Sequence, residues 1–428
     1  MKTLNNPSKT LWSDLIKRPS LKKTTLRETV ETVFRDVERN GDSAVLKYAS
    51  LFDELKGEKL RVSSEAISAA KDKLAPELMD AIVKAEQNIK KFHQSQTINS
   101  TRVETSSGVV CWQETRSIDR VGLYIPGGTA PLFSTLLMLG VPAKLAGCDK
   151  IVICTPASSE SEISPAILYT AWYLGIDEIY MLGGMQAIAA MTYGTNQIPQ
   201  VDKIFGPGNQ FVTAAKQYAL QQGVAIDMPA GPSEVLIMAD DIANPAYVAA
   251  DLLAQAEHGG DSQVVLLCAS DAFAERVKLE LNSQKENLTR KNVIDKALEN
   301  TLMIAFDKVE DQIAFSNSYA PEHLIINMEN TAEILPRIQS AGSVFIGAYS
   351  PESVGDYASG TNHTLPTNGA ARAYSGVNLQ SFQKTISFQE LSYEGIQKLG
   401  PSVMVMADAE GLDAHKNAVE IRLSNNGN

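Results

Sequence analysis

The sequence predicts an α/β protein with two parallel-sheet domains and a small helical arm at each end. Its 428 residues suggest two or three domains, since one domain takes roughly 150 residues. Hydrophobic residues make up 44% and charged residues 21% of the chain, as is typical of a globular protein. From about residue 120, short strand-like runs alternate with helical stretches.

The first series of alternating elements covers residues 116–233. Each strand-like run is followed by a stretch of helical character, and the runs are VGLYIP (121–126), KIVICTP (150–156), EIYMLGG (178–184) and KIFGPG (203–208). Repetition of strand, short loop and helix indicates a parallel sheet with crossover helices. We therefore predict one α/β domain over residues 116–233.

A second series starts with EVLIMAD (234–240) and QVVLLCA (263–269) and continues through TLMIAF, HLIIN and SVFIG. It predicts a second α/β domain over residues 234–378. Residues 26–115 have helical spacing of apolar residues and need an apolar partner. We expect them to pack on the second sheet, which makes that domain discontinuous in sequence.

The two ends of the chain are predicted to be arms. Residues 1–25 form the N-terminal arm, and residues 1–27 carry seven Lys/Arg against only Asp14. This pattern favours a solvated or partner-contacting arm over a weak targeting signal. Residues 379–428 have helical pieces but too few residues for a core, so we expect them to dock on another surface. Residues 348–378 are irregular and rich in Gly, Ser and Asn, as in functional or disordered connections.

Charge and composition exclude several classes of protein. The net charge is −12, so nothing favours binding to a nucleic-acid backbone. No run approaches the roughly 20 apolar residues of a membrane span, and the N-terminus lacks the apolar segment of a signal peptide. The four cysteines form no CxxC pair and no disulfide framework, which fits a reducing, cytoplasmic location. We read Cys154 and Cys268 as buried small hydrophobes.

Histidine is the informative residue type, with only five in the chain. His93 ends a charged helix, and we expect it to be solvated. His258 ends the helix that opens at Asn244, and Gln255 lies three residues before it, so both side chains can point at one ion. The alternative is a histidine that interacts only with the helix dipole.

The adjacent pair Glu322 and His323 opens the strand HLIINM. Two proton-transfer groups at a strand edge suit general acid/base chemistry, with a chance surface pair as the alternative. Asp356 and His363 lie in the irregular segment, where Asp is often only a turn former. His415 lies on the apolar face of a tail helix, where a packed histidine is the ordinary explanation.

Signals for phosphate binding are weak, because the sequence contains no GxGxxG after a strand and no GxxxxGK[ST]. Three βα turns do carry glycine: Pro126-Gly127-Gly128, Gly183-Gly184 and Gly206-Pro207-Gly208-Asn209. Each opens onto a predicted helix N-terminus, which favours anions. Glycine is also ordinary turn chemistry at such positions.

These pieces together resemble the histidinol dehydrogenase family. The resemblance covers nearly the whole chain from about residue 110 and rests on long segments: VGLYIPGGTAPLFSTLLM, GGMQAIAAMTYGT, VDKIFGPGNQFVTAAK, IDMPAGPSEVLIMAD, LLAQAEHGGDSQV, YAPEHLII, GDYASGTNHTLPT and DAEGLDAHKNAVEIR. It implies two NAD-dependent oxidations of L-histidinol through L-histidinal to L-histidine, the last steps of L-histidine biosynthesis. It also implies a homodimer with one zinc ion per subunit and a shared active site, and Rossmann-like domains without the GxGxxG fingerprint.

The resemblance also implies roles for individual residues. The acid/base pair would be Glu322 and His323. The metal ligands would be Gln255, His258, Asp356 and His415. The substrate L-histidinol would contact Ser233, Gln255, His258, His323, Asp356, His363, Glu410 and His415. The NAD contacts would be Tyr124, Gln186 and Asn209.

Two other functions remain open on the same fold. A metal-dependent hydrolase would use a His/Asp/Glu cluster to activate water, but it has no need for paired α/β domains with glycine turns. A non-catalytic metabolite-binding protein would keep the pocket, but it has no need for Glu322 and His323 beside a full ligand set. Formation of NADH separates both from a dehydrogenase.

Overall fold

The computed structural model describes residues 1–18, 23–53, 55, 57–127, 132–157, 162–229 and 231–424. The chain divides into two compact units, of which the first comprises residues 1–95 and 118–382 and the second residues 96–117 and 383–428. Within the described ranges, every helix is too short or too polar to span a bilayer.

The chain opens with a strand and a series of helices, which are β1 (Lys2–Asn5), α1 (Lys9–Leu15), α2 (Lys23–Asn40), α3 (Asp42–Phe52), α4 (Ser64–Ala69) and α5 (Pro76–Gln94). Two strands of the second unit follow, β2 (Val103–Ser106) and β3 (Val109–Ser117). The strand at the very start is a correction, because we expected only helices in the first hundred residues. The N-terminal arm therefore contributes a strand to a parallel sheet.

The first parallel sheet confirms the predicted alternation of strands and helices. Its elements are β4 (Arg120–Tyr124), α6 (Phe133–Ala146), β5 (Lys150–Thr155), α7 (Pro165–Leu174), β6 (Glu178–Met181), α8 (Gly184–Tyr193), β7 (Lys203–Phe205), α9 (Gln210–Gln221) and β8 (Ala225–Ile226). The strands lie in the order β6-β5-β4-β7-β8 and are all parallel. This is a doubly wound sheet, and its strand order reverses between β4 and β7.

The second parallel sheet repeats that design. Its elements are β9 (Glu234–Ala239), α10 (Pro245–Ala256), β10 (Gln263–Cys268), α11 (Asp271–Gln284), α12 (Lys291–Glu299), β11 (Leu302–Ala305), α13 (Val309–Tyr319), β12 (His323–Asn327), α14 (Thr331–Ile334), β13 (Ser343–Ile346) and α15 (Glu352–Tyr357). The order is β1-β11-β10-β9-β12-β13, so the order reverses between β9 and β12. The predicted fold, two parallel α/β sheets, is therefore confirmed. Cys154 and Cys268 are fully buried on β5 and β10, as expected.

The early helices pack on the first sheet and not on the second, which corrects our expectation for residues 26–115. Phe34 of α2 lies in one core with Ile188 of α8 and Val212 of α9. Ile89 of α5 lies in another with Leu136 of α6. The reason is that α6, α7 and α8 are buried along most of their length. Helices that are apolar on all sides need an outer layer, and α2 and α5 supply it.

The second unit contains an antiparallel sheet and two helices. The strand β14 (Gln383–Leu391) pairs with β3, and the order is β14-β3-β2. The helices α16 (Tyr393–Ala409) and α17 (Asp413–Ser424) follow. The predicted all-helical tail is thus wrong at residues 383–391, which form a strand. Single turns of 3-10 helix elsewhere occupy Ala70–Lys73, Lys285–Asn287, Leu335–Arg337, Ala370–Arg372 and Leu379–Phe382.

Candidate active site

The candidate site starts at the amino ends of two neighbouring strands, β9 and β12. Glu234 is the first residue of β9, and His323 is the first residue of β12. The backbone N–H of Glu234 donates to Oε2 of Glu322 at 2.8 Å. Its carbonyl oxygen lies 3.0 Å from Nδ1 of His323. The main chain of Glu234 therefore orients both members of the predicted acid/base pair.

The ring of His323 is buried and has one nitrogen available for chemistry. Because a carbonyl oxygen only accepts hydrogen bonds, the contact with Glu234 assigns the proton of the neutral ring to Nδ1. Nε2 has no hydrogen-bond partner among the described residues and lies 3.5 Å from Oδ1 of Asp356. An unpaired ring nitrogen in a buried site is suited to accept a proton from a substrate.

Two carboxylates reach the site from the short helix α15. Glu352 and Asp356 are four residues apart, so they lie on the same face of the helix. Oε1 of Glu352 lies 3.6 Å from Nδ1 of His323. The sequence predicts Asp356 as a site residue but not Glu352, because the composition of residues 348–378 is typical of an irregular segment. The sequence did contain a signal for a short helix, because Pro351 is followed by two carboxylates at i, i+4 spacing, Glu352 and Asp356.

Gln255 and His258 approach the same point from α10. The amide of Gln255, oriented so that its nitrogen donates, bonds to Oε1 of Glu352 at 3.0 Å and to the carbonyl of Glu234 at 3.2 Å. Its amide oxygen then remains available as a ligand. His258 lies just beyond the last helical residue, Ala256. One ligand atom each from His258, Glu352 and Asp356 lies within 4.8 Å of the others.

The electrostatics of this cluster favour a bound cation. Burial raises the pKa of Glu322 and that of Glu352 to about 8. Burial also lowers the pKa of His323, but the charges of Glu352 and Glu322 outweigh it and raise that pKa well above its usual range, so the ring becomes a neutral base only when a cation offsets those carboxylate charges. Several carboxylates in a water-poor site repel one another, and a divalent cation relieves that repulsion.

The donor set fits a zinc-like ion. Desolvation lowers the pKa of His258, although part of its surface is exposed, and the neutral imidazole is the form that binds a metal. An imidazole nitrogen and carboxylate oxygens are ligands that zinc accepts, and the amide oxygen of Gln255 would add a further neutral oxygen donor. The unpaired, buried Oε2 of Glu352 is a further donor without a partner among the described residues.

His363 connects the site to the first sheet. Its Nδ1 lies 2.9 Å from the carbonyl of Asp356, and its Nε2 lies 3.1 Å from Oγ1 of Thr135 on α6. Ser233 immediately precedes β9, and its carbonyl accepts a hydrogen bond from the N–H of Gln263 at 3.0 Å. The structure thus brings Gln255, His258, Glu322, His323, Asp356 and His363 to one region, with Ser233 beside it.

His93 is buried, so the prediction that it is solvated is wrong. Its Nδ1 lies 2.8 Å from the carbonyl of Ile89, and its Nε2 lies 3.4 Å from the amide nitrogen of Asn362. The sequence contained the signal, because Ile82, Ala85, Ile89 and His93 follow one another at three- and four-residue spacing on a single helix face. His93 supports the segment that carries His363.

The three predicted NAD contacts lie at the carboxyl edge of the first sheet or at the helix N-termini beside it. The N–H of Gly184 donates to the hydroxyl of Tyr124 at 3.1 Å, and the amide of Gln186 donates to Asp53 at 3.0 Å. Asn209 caps α9.

Gly206 has φ +125°, and a side chain there would collide with the carbonyl of Tyr124. This close approach lies between β4 and β7, where doubly wound sheets bind ligands. Gly128 of the first glycine turn lies outside the described residues.

The remaining predicted site residues belong to the second unit. Glu410 caps the C-terminus of α16, and His415 lies in the first turn of α17. Both side chains are exposed.

Comparison with known proteins identifies relatives of the whole chain. A family model described as "Histidinol dehydrogenase" matches residues 16–423. A histidinol dehydrogenase of Bacteroides thetaiotaomicron is 53% identical over 424 residues, covering 99% of both chains. One from Vibrio parahaemolyticus is 50% identical, covering 96% of this chain and 95% of the relative. A crystal structure of histidinol dehydrogenase from Elizabethkingia anophelis superposes with a TM-score of 0.96 at 55% identity, covering 99% of this chain and 98% of that one.

Proposed function

The chain belongs to the histidinol dehydrogenase family, and from this premise we propose that it oxidises L-histidinol to L-histidine through L-histidinal. The reaction consists of two successive NAD-dependent oxidations that complete L-histidine biosynthesis in the cytoplasm. The observation that carries the proposal is Nε2 of His323, which is buried and unpaired among the described residues, beside a cluster of metal donors from His258, Glu352 and Asp356. That arrangement would place a base, Nε2 of His323, beside an electrophilic metal ion.

We propose that Gln255, His258 and Asp356 hold one zinc ion per subunit, with His415 as the fourth ligand. When bound, zinc acts as a Lewis acid that polarises the substrate oxygen. With the amide nitrogen of Gln255 donating to Glu352 at 3.0 Å, the amide oxygen would be free to coordinate the ion. The substrate would further contact Ser233, His323, His363 and Glu410.

Each member of the acid/base pair acts in one of the two oxidations, His323 in the first and Glu322 in the second. In the first, Nε2 of His323 accepts the hydroxyl proton of histidinol while a hydride leaves the carbon, and Nδ1 stays hydrogen-bonded to Glu234. In the second, the carboxylate of Glu322 activates the water that adds to the aldehyde. Burial raises the pKa of Glu322 to about 8, so this carboxyl group gains and loses a proton near neutral pH.

NAD supplies the hydride acceptor in both steps. We propose that it binds at the switch point of the first sheet and contacts Tyr124, Gln186 and Asn209. The hydroxyl contact between Thr135 and His363 joins α6 of that sheet to the metal-binding segment. A cofactor bound at the switch point would therefore lie on the same side as the candidate site.

We also propose a homodimer with shared active sites. Among the described residues of the second unit, the buried apolar side chains are those of Val109 and Ala407. Val405, Met406 and Ile421 on its helices, and Leu412 between them, are instead exposed. A unit with so little core gains stability from covering these side chains with a partner.

The direct test is the stoichiometry of the reaction. We expect the purified protein to form two NADH per L-histidinol and to stop when a chelator removes the metal. A metal-dependent hydrolase would form none, and a binding protein would bind histidinol without turnover. Absence of NADH from a folded, zinc-loaded protein would contradict the proposal.

We predict that His258→Asn lowers bound zinc and activity together, because it removes an imidazole ligand while the strands and helices keep the site in place. Removal of metal-orienting groups lowers affinity or activity by about 10- to 100-fold, and a direct ligand should cost at least that much. Zinc per subunit is measured by elemental analysis. The unfolding temperature is measured as well, to show that the variant is folded. A zinc-free variant with full activity would disprove the assignment.

Glu322→Gln tests the division of labour between the two oxidations. We expect it to slow oxidation of histidinal much more than oxidation of histidinol, because the amide accepts no proton from water. The two half-reactions are measured separately by NADH formation from each substrate. Equal slowing of both would count against the role of Glu322 in activating water.

A further inference from the structure

The basic N-terminal arm places one arginine in a buried ion pair with Glu234. Nε and Nη2 of Arg18 bond to the two carboxylate oxygens of Glu234, each at 2.9 Å. The side chain of Arg18 is 6% exposed, and that of Glu234 is fully buried. Two parallel N–H···O bonds fix the carboxylate in direction as well as in position.

Arg18 is itself held in place by several contacts. Its guanidinium lies 3.6 Å from the centre of the Tyr319 ring, and it donates to the carbonyls of Tyr319 and Ile16, each at 2.8 Å. The arm before it is anchored by β1 in the second sheet and by Trp12 in the core beneath. Arg18 is therefore a rigid support for Glu234.

The main chain of Glu234 orients three groups of the candidate site. Its N–H donates to Glu322, and its carbonyl accepts from His323 at 3.0 Å and from Gln255 at 3.2 Å. Its carboxylate has one further bond, from the N–H of Asn368 at 2.8 Å. A shift of Glu234 would consequently move the base, the water-activating carboxylate and a metal ligand together.

We propose that Arg18 is a positioning residue, which through the carboxylate of Glu234 fixes the backbone that orients Glu322, His323 and Gln255. The inference rests on the proposed function. A structural role alone does not account for this pair, because burying two charges costs desolvation and apolar residues of similar size often stabilise a protein as well or better. An arm whose only role is to cover the sheet would not need a buried ion pair between Arg18 and Glu234.

The test removes the guanidinium and then returns it as a small molecule. We expect Arg18→Ala to lower kcat about 10- to 100-fold, the usual effect of losing a group that orients metal-site residues, with a much smaller change in KM. Guanidinium chloride at low concentration should restore part of kcat, because the cation can occupy the space between Glu234 and Tyr319. Arg18→Lys should stay impaired, since lysine lacks the two-pronged donor geometry.

A second readout does not depend on activity. We expect hydrogen exchange in the peptide spanning residues 233–239 to become faster in Arg18→Ala, because the N–H of Glu234 loses its fixed geometry. Two variants serve as controls. Arg120→Ala breaks an exposed ion pair with Asp202, and Leu302→Ala truncates a buried side chain on β11 of the same sheet. Neither should change kcat or exchange in this peptide as Arg18→Ala does.

An unchanged kcat in Arg18→Ala would overturn the inference. So would a loss that guanidinium does not relieve and that Leu302→Ala reproduces at an equal fall in unfolding temperature. Failure of the proposed function is seen separately, as a wild-type protein that forms no NADH from histidinol. In that case the exchange of residues 233–239 still decides whether Arg18 holds Glu234.

Discussion

Replacing His323 by glutamine is expected to lower kcat for histidinol oxidation about 10²- to 10⁴-fold, the range that one general base contributes. The side chain is buried, and its Nδ1 bonds to the carbonyl of Glu234. The amide of glutamine can replace that donor, so the fold should survive. What the variant lacks is the free nitrogen that accepts the proton. Initial rates of NADH formation measure the effect.

A matched control uses another buried histidine. His93→Gln alters a ring whose hydrogen-bond contacts include the carbonyl of Ile89 and the amide of Asn362, so it supports the segment of His363 but touches no proposed ligand, acid/base or substrate residue. It should lose stability but keep most of its kcat. Zinc content must stay near that of the wild type in His323→Gln, because this residue is not a proposed ligand. A His323→Gln variant that contains zinc and turns over at the wild-type rate would remove His323 from the mechanism.

The location of the base shows what sequence could and could not predict. Local pattern was enough for most strands and helices of both sheets, because hydrophobic periodicity and glycine turns specify them within a few residues; β1 and α15 are among the exceptions. That Glu322 and His323 meet Glu234 depends on β12 lying beside β9, although almost 90 residues separate them in sequence. Only the strand order of the sheet creates that contact. The family resemblance predicted the roles of Glu322 and His323, but not the main-chain contacts with Glu234 that orient them.

Two errors, at Glu352 and at His93, had a common cause. Glu352 was missed because one short helix, α15, lies in a segment whose composition is typical of a loop. His93 was misjudged because the charged residues around it, Lys90 and Lys91, concealed an apolar face that repeats every three or four residues. In both cases a helical spacing was present, and composition was given more weight than spacing. The packing of the early helices on the first sheet was not available from periodicity at all.

The second unit leads to the other large effect. Its helices α16 and α17 carry exposed apolar side chains, while Glu410 and His415 lie at the end of one and the start of the other. On the proposal of shared sites, each site takes Glu410 and His415 from one subunit and the remaining groups from the other. Neither His415→Ala nor His323→Ala alone should then be active.

Mixing these two inactive variants under subunit exchange should restore activity. In a heterodimer one site has both His323 and His415, and the other has neither. Each heterodimer should therefore have about half the wild-type activity, and a random equal mixture about a quarter, as follows from two-fold symmetry. The control mixes His323→Ala with His258→Ala, whose changed residues both lie in the first unit, so no intact site can form. If native mass spectrometry confirms exchange and the first mixture stays inactive, the second unit serves its own subunit and the shared site is wrong.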